Sequence, residues 1–104
     1  MPEFSDEPLA NLIDQVRAYS PNSTLLLFQM REECGKQAAY YAAFILIWLQ
    51  ATTESEYNKP LNEYTSADFE DFAFFEVTKD NEHALALFDR LLRTYQQDQM
   101  PVGN

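Results

Sequence analysis

At 104 residues the chain is sized for one domain, and its 46% hydrophobic and 23% charged residues are those of a packed protein rather than a disordered segment. Seventeen acidic against seven basic side chains give a formal net charge of -10, which disfavours direct contact with nucleic-acid phosphates or anionic lipid. One cysteine (Cys34), one histidine (His83) and two glycines (Gly35 and Gly103) exclude an internal disulfide, cysteine zinc sites and twin Glu-x-x-His di-iron sites, and leave no glycine-rich phosphate loop.

Residues 1–5 are expected to be a tail, and the acidic opening MPEFSDEPLAN lacks the basic and apolar regions of a secretory signal. A reducing, cytoplasmic setting is therefore expected. Asp6 is a candidate N-cap, with Pro8 in the first turn where its missing N–H costs least. Leu9, Leu12, Ile13 and Val16 then follow at i, i+3, i+4, i+7, which predicts an amphipathic helix over 6–19.

Ser20 or Ser23 can cap the next helix, whose pattern continues over 23–53. Leu27, Met30, Cys34, Ala38, Tyr41, Ile45 and Trp48 form one stripe along it. Gly35 lies in mid-pattern, as a kink, a close crossing or a tolerated residue costing about 1 kcal/mol relative to alanine. Within this segment Ala38 to Leu49, AAYYAAFILIWL, carries no charge or amide. It falls short of the about 20 apolar residues a bilayer requires, and Arg31, Glu32, Glu33 and Lys36 stand just before it, so no membrane span is expected.

A helix apolar on every side must be covered on every side. Thirty helical residues also span about 45 Å, against a radius of gyration near 13 Å for a domain of this size. Such a helix either breaks at Gly35 or projects. Core on the Tyr41, Ile45 and Trp48 side is the plain reading. Tyr40, Phe44, Ile47 and Trp48 become interface candidates, with the paired small residues Ala38, Ala39, Ala42 and Ala43 allowing close approach of a second helix. That favours a homodimer.

Residues 54–64 read as a polar connection around Lys59-Pro60. Thr65 and Asp68 give a start signal for a helix over 66–77. Phe75 and Val77 alternate like a strand, but a lone strand would have no partner. A last helix is predicted over 80–97, with Leu85, Phe88, Leu91, Leu92 and Tyr95 facing inward, Asp89 and Arg93 paired across one turn, and residues 98–104 a tail. The expected fold is all-α, a four-helix antiparallel bundle with one long apolar helix, forming a single domain over 1–104.

No nucleophile, acid–base pair, cofactor motif or metal cluster emerges. Cys34 lies on the apolar stripe and reads as a buried, inert thiol, and His83 as solvated. The charge distribution says more. Between Glu54 and Glu82 stand nine acidic residues and two basic ones, interleaved with Tyr57, Tyr64, Phe69, Phe72, Phe74 and Phe75. Acidic side chains steer encounter with a basic partner and aromatics supply desolvated contact. Glu63, Asp68, Glu70, Asp71, Phe74 and Glu76 are the candidates, against the plainer reading that the charges face solvent while the phenylalanines fill the core.

The expected function is a non-enzymatic helical interaction module, an adaptor, assembly factor or regulatory subunit, homodimeric through the apolar helix. The alternative is an acidic inhibitor that blocks a basic, nucleic-acid-binding site on an enzyme. In size and charge, though in no motif, the chain is similar to bacteriocin immunity proteins and phage-encoded DNA mimics. A third option is a small-molecule site lined by Tyr40, Tyr41 and Trp48.

Overall fold

A computed structural model describes residues 6–52 and 61–99, so the expected tails and most of the connection before Leu61 lie outside the described residues. Within them the protein is all-helical, with five α-helices: α1 Asp6–Arg17, α2 Pro21–Cys34, α3 Lys36–Thr52, α4 Ala73–Thr78 and α5 Glu82–Gln99. Two short 3-10 turns, Leu61–Glu63 and Ser66–Phe69, precede α4. The radius of gyration is 13.1 Å.

The single long helix is not formed. Gly35 breaks it with φ 105° and ψ 161°, a conformation nearly confined to glycine. Its N–H donates to the Arg31 carbonyl at 3.2 Å, closing α2, and its own carbonyl accepts from Ala39 N–H at 3.3 Å, opening α3. One residue is thus the whole joint. The break lets α2 fold back on α3, and a bundle of four helices becomes a packing of five.

The break also answers most of the coverage problem. α3 occupies the centre, packed upon by α1, α2, α4 and α5. Ala38, Ala39, Ala42, Ala43, Ile45, Leu46 and Leu49 are all buried within the chain. The small residues that would have admitted a second helix are thus covered by the protein's own.

α1 buries Leu9, Ile13 and Val16 as its periodicity requires, and α5 buries Ala84, Leu87, Phe88, Leu91, Leu92 and Tyr95. Arg93 pairs with Asp89 at 2.8 Å on the outer face of α5. α5 runs antiparallel to α2 and is fixed to it at both ends. At one end His83 Nε2 contacts Glu33 Oε1. At the other, Asp98 accepts from Ser20 Oγ at 2.8 Å and from Asn22 Nδ2 at 3.1 Å.

This second contact corrects two expectations. The last helix runs to Gln99 rather than stopping before Asp98, and α2 begins at Pro21. Ser20 stands at the N-cap of α2 but makes no capping bond with its side chain; Asp98 supplies the anion that this N-terminus lacks.

The helix expected over 66–77 is also interrupted. Its start signal operates, since Thr65 N–H donates to Asp68 Oδ2 at 2.8 Å. The 3-10 turn it opens ends at Phe69, and Phe72 then adopts an extended backbone, φ -82° and ψ 156°, before α4 begins. That extended residue resets the helical phase. Phe74 and Thr78, one turn apart, become the buried face of α4, and the alternation of Phe75 and Val77 belongs to a helix.

Candidate functional site

The segment from Leu61 to Thr78 is held on α3 and α5 chiefly by rings. Trp48 on α3 meets Phe72 edge-on at 5.2 Å between centroids, Phe69 at 6.0 Å and Tyr64 at 6.4 Å. Phe88 on α5 meets Phe74 at 4.8 Å and Phe75 at 5.5 Å. Each such pair contributes about 0.5–1.5 kcal/mol beyond its buried area. Gln96 adds a polar clamp, its Nε2 donating to the carbonyls of Leu61 at 3.0 Å and Tyr64 at 2.9 Å.

This packing sorts the candidates of the acidic-aromatic region. Phe74 is 0% exposed and belongs to the core, so it is not a surface anchor. The phase reset at Phe72 turned it inward, a displacement that continuous helical numbering cannot foresee. Glu63, Asp68, Glu70, Asp71 and Glu76 are all exposed. Asp68 is engaged in capping Thr65.

The apolar-helix candidates divide as well. Phe44 is 47% exposed, an unusual position for a phenylalanine on a central helix. Tyr40 and Ile47 are half-buried against the core, with Tyr40 edge-on to Tyr41 at 5.6 Å. Trp48 is likewise half-buried, inside the ring cluster.

The two candidate regions meet at one place. Tyr41, Phe44 and Ile45 of α3, with Phe72, Ala73 and Phe74 at the start of α4, line an open pocket of about 110 Å³. An engineered apolar cavity of about 150 Å³ holds benzene, so this one suits the end of a single apolar side chain. Of the three residues proposed to line a small-molecule site, Tyr41 contributes here. Ala73, Glu76 and Val77 share the outer face of α4 at i, i+3, i+4 and are exposed. Val77 itself is 39% exposed. Glu70 and Asp71 are exposed immediately before Phe72. The result is an apolar hole with an apolar shoulder, its α4 wall preceded and followed in the chain by exposed acidic residues.

Sequence reasoning missed Ala73 and Val77, because their face depends on the break at Phe72. It also passed over Leu25, 68% exposed, and Phe28, 37% exposed with the Arg31 guanidinium 5.7 Å above its ring. A signal for that pair existed: four consecutive apolar residues, Leu25 to Phe28, cannot all face inward on a helix.

The remaining reactive groups are arranged for structure. His83 lowers the pKa of the exposed Glu33 carboxyl by hydrogen bonding. Cys34, beside Glu33, is half-buried, and burial followed by the Glu33 charge pushes its thiol pKa up, away from nucleophile activation. Among the described residues no three His, Cys, Asp or Glu side chains come together as a metal site, and no helix is long and apolar enough to cross a membrane. Comparison with family models, with curated proteins and with solved structures finds no match.

Proposed function

We propose that the protein is a helical protein–protein interaction module, working in a reducing, cytoplasmic compartment, whose contact surface is the α3/α4 face around Phe44. The observation carrying this reading is the coincidence of a half-exposed phenylalanine and an apolar pocket whose α4 wall is preceded and followed in the chain by exposed acidic side chains. A compact apolar centre with a polar rim is the anatomy of a protein interface. The distribution of charge favours a different protein over a second copy of the chain. An isologous dimer through this face would bring two like-charged acidic sets, Glu70, Asp71 and Glu76 of each copy, into one interface. An inhibitor that covers a basic site on an enzyme is one form this module could take.

The test replaces Phe44 with a photo-reactive benzoylphenylalanine in the full chain. Illumination in extract of the host should yield a discrete adduct that is re-formed with the purified partner and is reduced at least ten-fold by excess parent protein but not by excess Phe44→Ala. An adduct of twice the chain's own mass would identify a homodimer instead. Absence of any specific adduct at position 44, with efficient capture from position 25, would move the interface to α2.

A further inference from the structure

The chemistry of the partner can be taken further, on the reading that the α3/α4 face is the interface. We infer that the occupant is a basic segment of a partner protein that inserts one large aliphatic or aromatic side chain between Phe44 and Phe72 and sets Lys or Arg on either side of it. Three observations converge on this. The pocket, about 110 Å³, admits one side chain end and is walled by Tyr41, Phe44, Ile45, Phe72, Ala73 and Phe74. A second apolar contact lies one helical turn away at Val77, on the same face as Ala73. The exposed charges beside the lining residues share one sign, Glu70 and Asp71 before Phe72 and Glu76 after Ala73.

An apolar side chain alone would find the pocket but not its surroundings. Carboxylates beside a desolvated contact favour guanidinium and ammonium groups, and they disfavour an acidic competitor. An apolar residue with basic neighbours within one helical turn satisfies both requirements at once.

Trp48 reports on the site. It is the chain's single tryptophan and its ring lies 5.2 Å from that of Phe72, a pocket wall. The probe is a tryptophan-free synthetic peptide of alternating Lys and Leu at helical spacing, titrated into the whole protein at low salt. Three companions accompany it, one with its Leu replaced by Ser, one with its Lys replaced by Glu, and the parent at high salt. Saturable change in Trp48 emission is expected with the parent peptide alone at low salt. Ala73→Phe, which fills the pocket from an exposed position, should weaken binding by about 30-fold, the effect of removing a central anchor. Asp71→Lys with Glu76→Lys should weaken it by about ten-fold or more, and raised salt should do the same.

Binding that survives Ala73→Phe or the Ser peptide within about two-fold would overturn the inference, because charge alone would then hold the peptide. Equal binding of the Glu peptide would overturn it too, as would no saturable change with the parent. If the peptide fails while benzoylphenylalanine at position 44 still captures a partner that re-forms the complex when purified, the partner chemistry is refuted and the interface stands. Failure of both experiments removes both.

Discussion

Replacing Gly35 with alanine separates backbone conformation from packing with little else disturbed. A Cβ built on Gly35 meets nothing within 4 Å, so no steric collision accompanies the change. What remains is the backbone at φ 105° and ψ 161°, which costs an L-residue about 1–3 kcal/mol. Alanine also restricts the unfolded chain, which returns about 0.4–1 kcal/mol only where the native conformation is one it can adopt. A net loss of about 2 kcal/mol is expected, lowering Tm by roughly 8–16 °C for a domain of this size. Alanine is also the best helix former, so the substitution favours fusing α2 and α3 into one rod. The fused form cannot fold α2 back on α3, and exchange of helices between two chains is its natural outlet. Urea unfolding and size-exclusion chromatography of Gly35→Ala read both effects. Semisynthesis with D-alanine at position 35 is the control, because a D-residue accepts this conformation and should restore wild-type stability. A Gly35→Ala protein as stable as the parent and of the same oligomeric state, or a D-alanine protein as unstable as the L-form, would refute the reasoning.

Phe74→Ala should cost about 3–5 kcal/mol in urea unfolding, whereas Phe44→Ala should cost less than about 1 kcal/mol and act on binding instead. Asp98→Ala, which removes the acceptor for Ser20 and Asn22, should lose about 1–2 kcal/mol and fray the start of α2 in amide exchange. Tyr19 carries a buried hydroxyl without a hydrogen-bond partner, so Tyr19→Phe should be neutral or stabilise by about 1 kcal/mol. Burial raises the Tyr19 pKa from 10.0 to about 12, and the same cause raises that of Tyr95, whose ring lies 5.9 Å away. The fold thus favours the protonated phenol: its contribution is complete below pH 10 and is lost as pH climbs towards 12. Solvent screening of the half-buried ring holds the Tyr19 share to about 1 kcal/mol. Unfolding free energy measured across that range should fall less steeply in Tyr19→Phe than in the parent.

Helices with a clean 3.6-residue period were legible from sequence. Leu9, Ile13 and Val16 are buried as their spacing requires, and Asp89 pairs with Arg93. Thr65 and Asp68 announced a helical start, and the bond between them is present. Gly35 was visible as a kink, a close crossing or a tolerated residue, and the decision among them rests on α2 packing back on α3. The extended residue at Phe72 carries no local signature, so the inward turn of Phe74 and the outward face of Ala73 and Val77 were hidden. Phe44, Tyr40 and Ile47 look alike along the chain; which of them stays exposed is set by helices distant in sequence. The candidate site was therefore visible as two separate halves, and their meeting at one pocket was not.

The bond from Asp98 to Ser20 joins residues 78 apart, and this has a consequence for the order of folding during synthesis. Until residue 98 has left the ribosome, the start of α2 lacks its anion, and the α5 residues Phe88, Leu91 and Tyr95 cannot join the core. The nascent α1, α2 and α3 can gather locally, but completion waits for contacts that join the two ends of the described helices. A nascent chain of this protein thus carries an uncovered hydrophobic flank until α5 emerges, and its demand for chaperones should end abruptly when α5 docks.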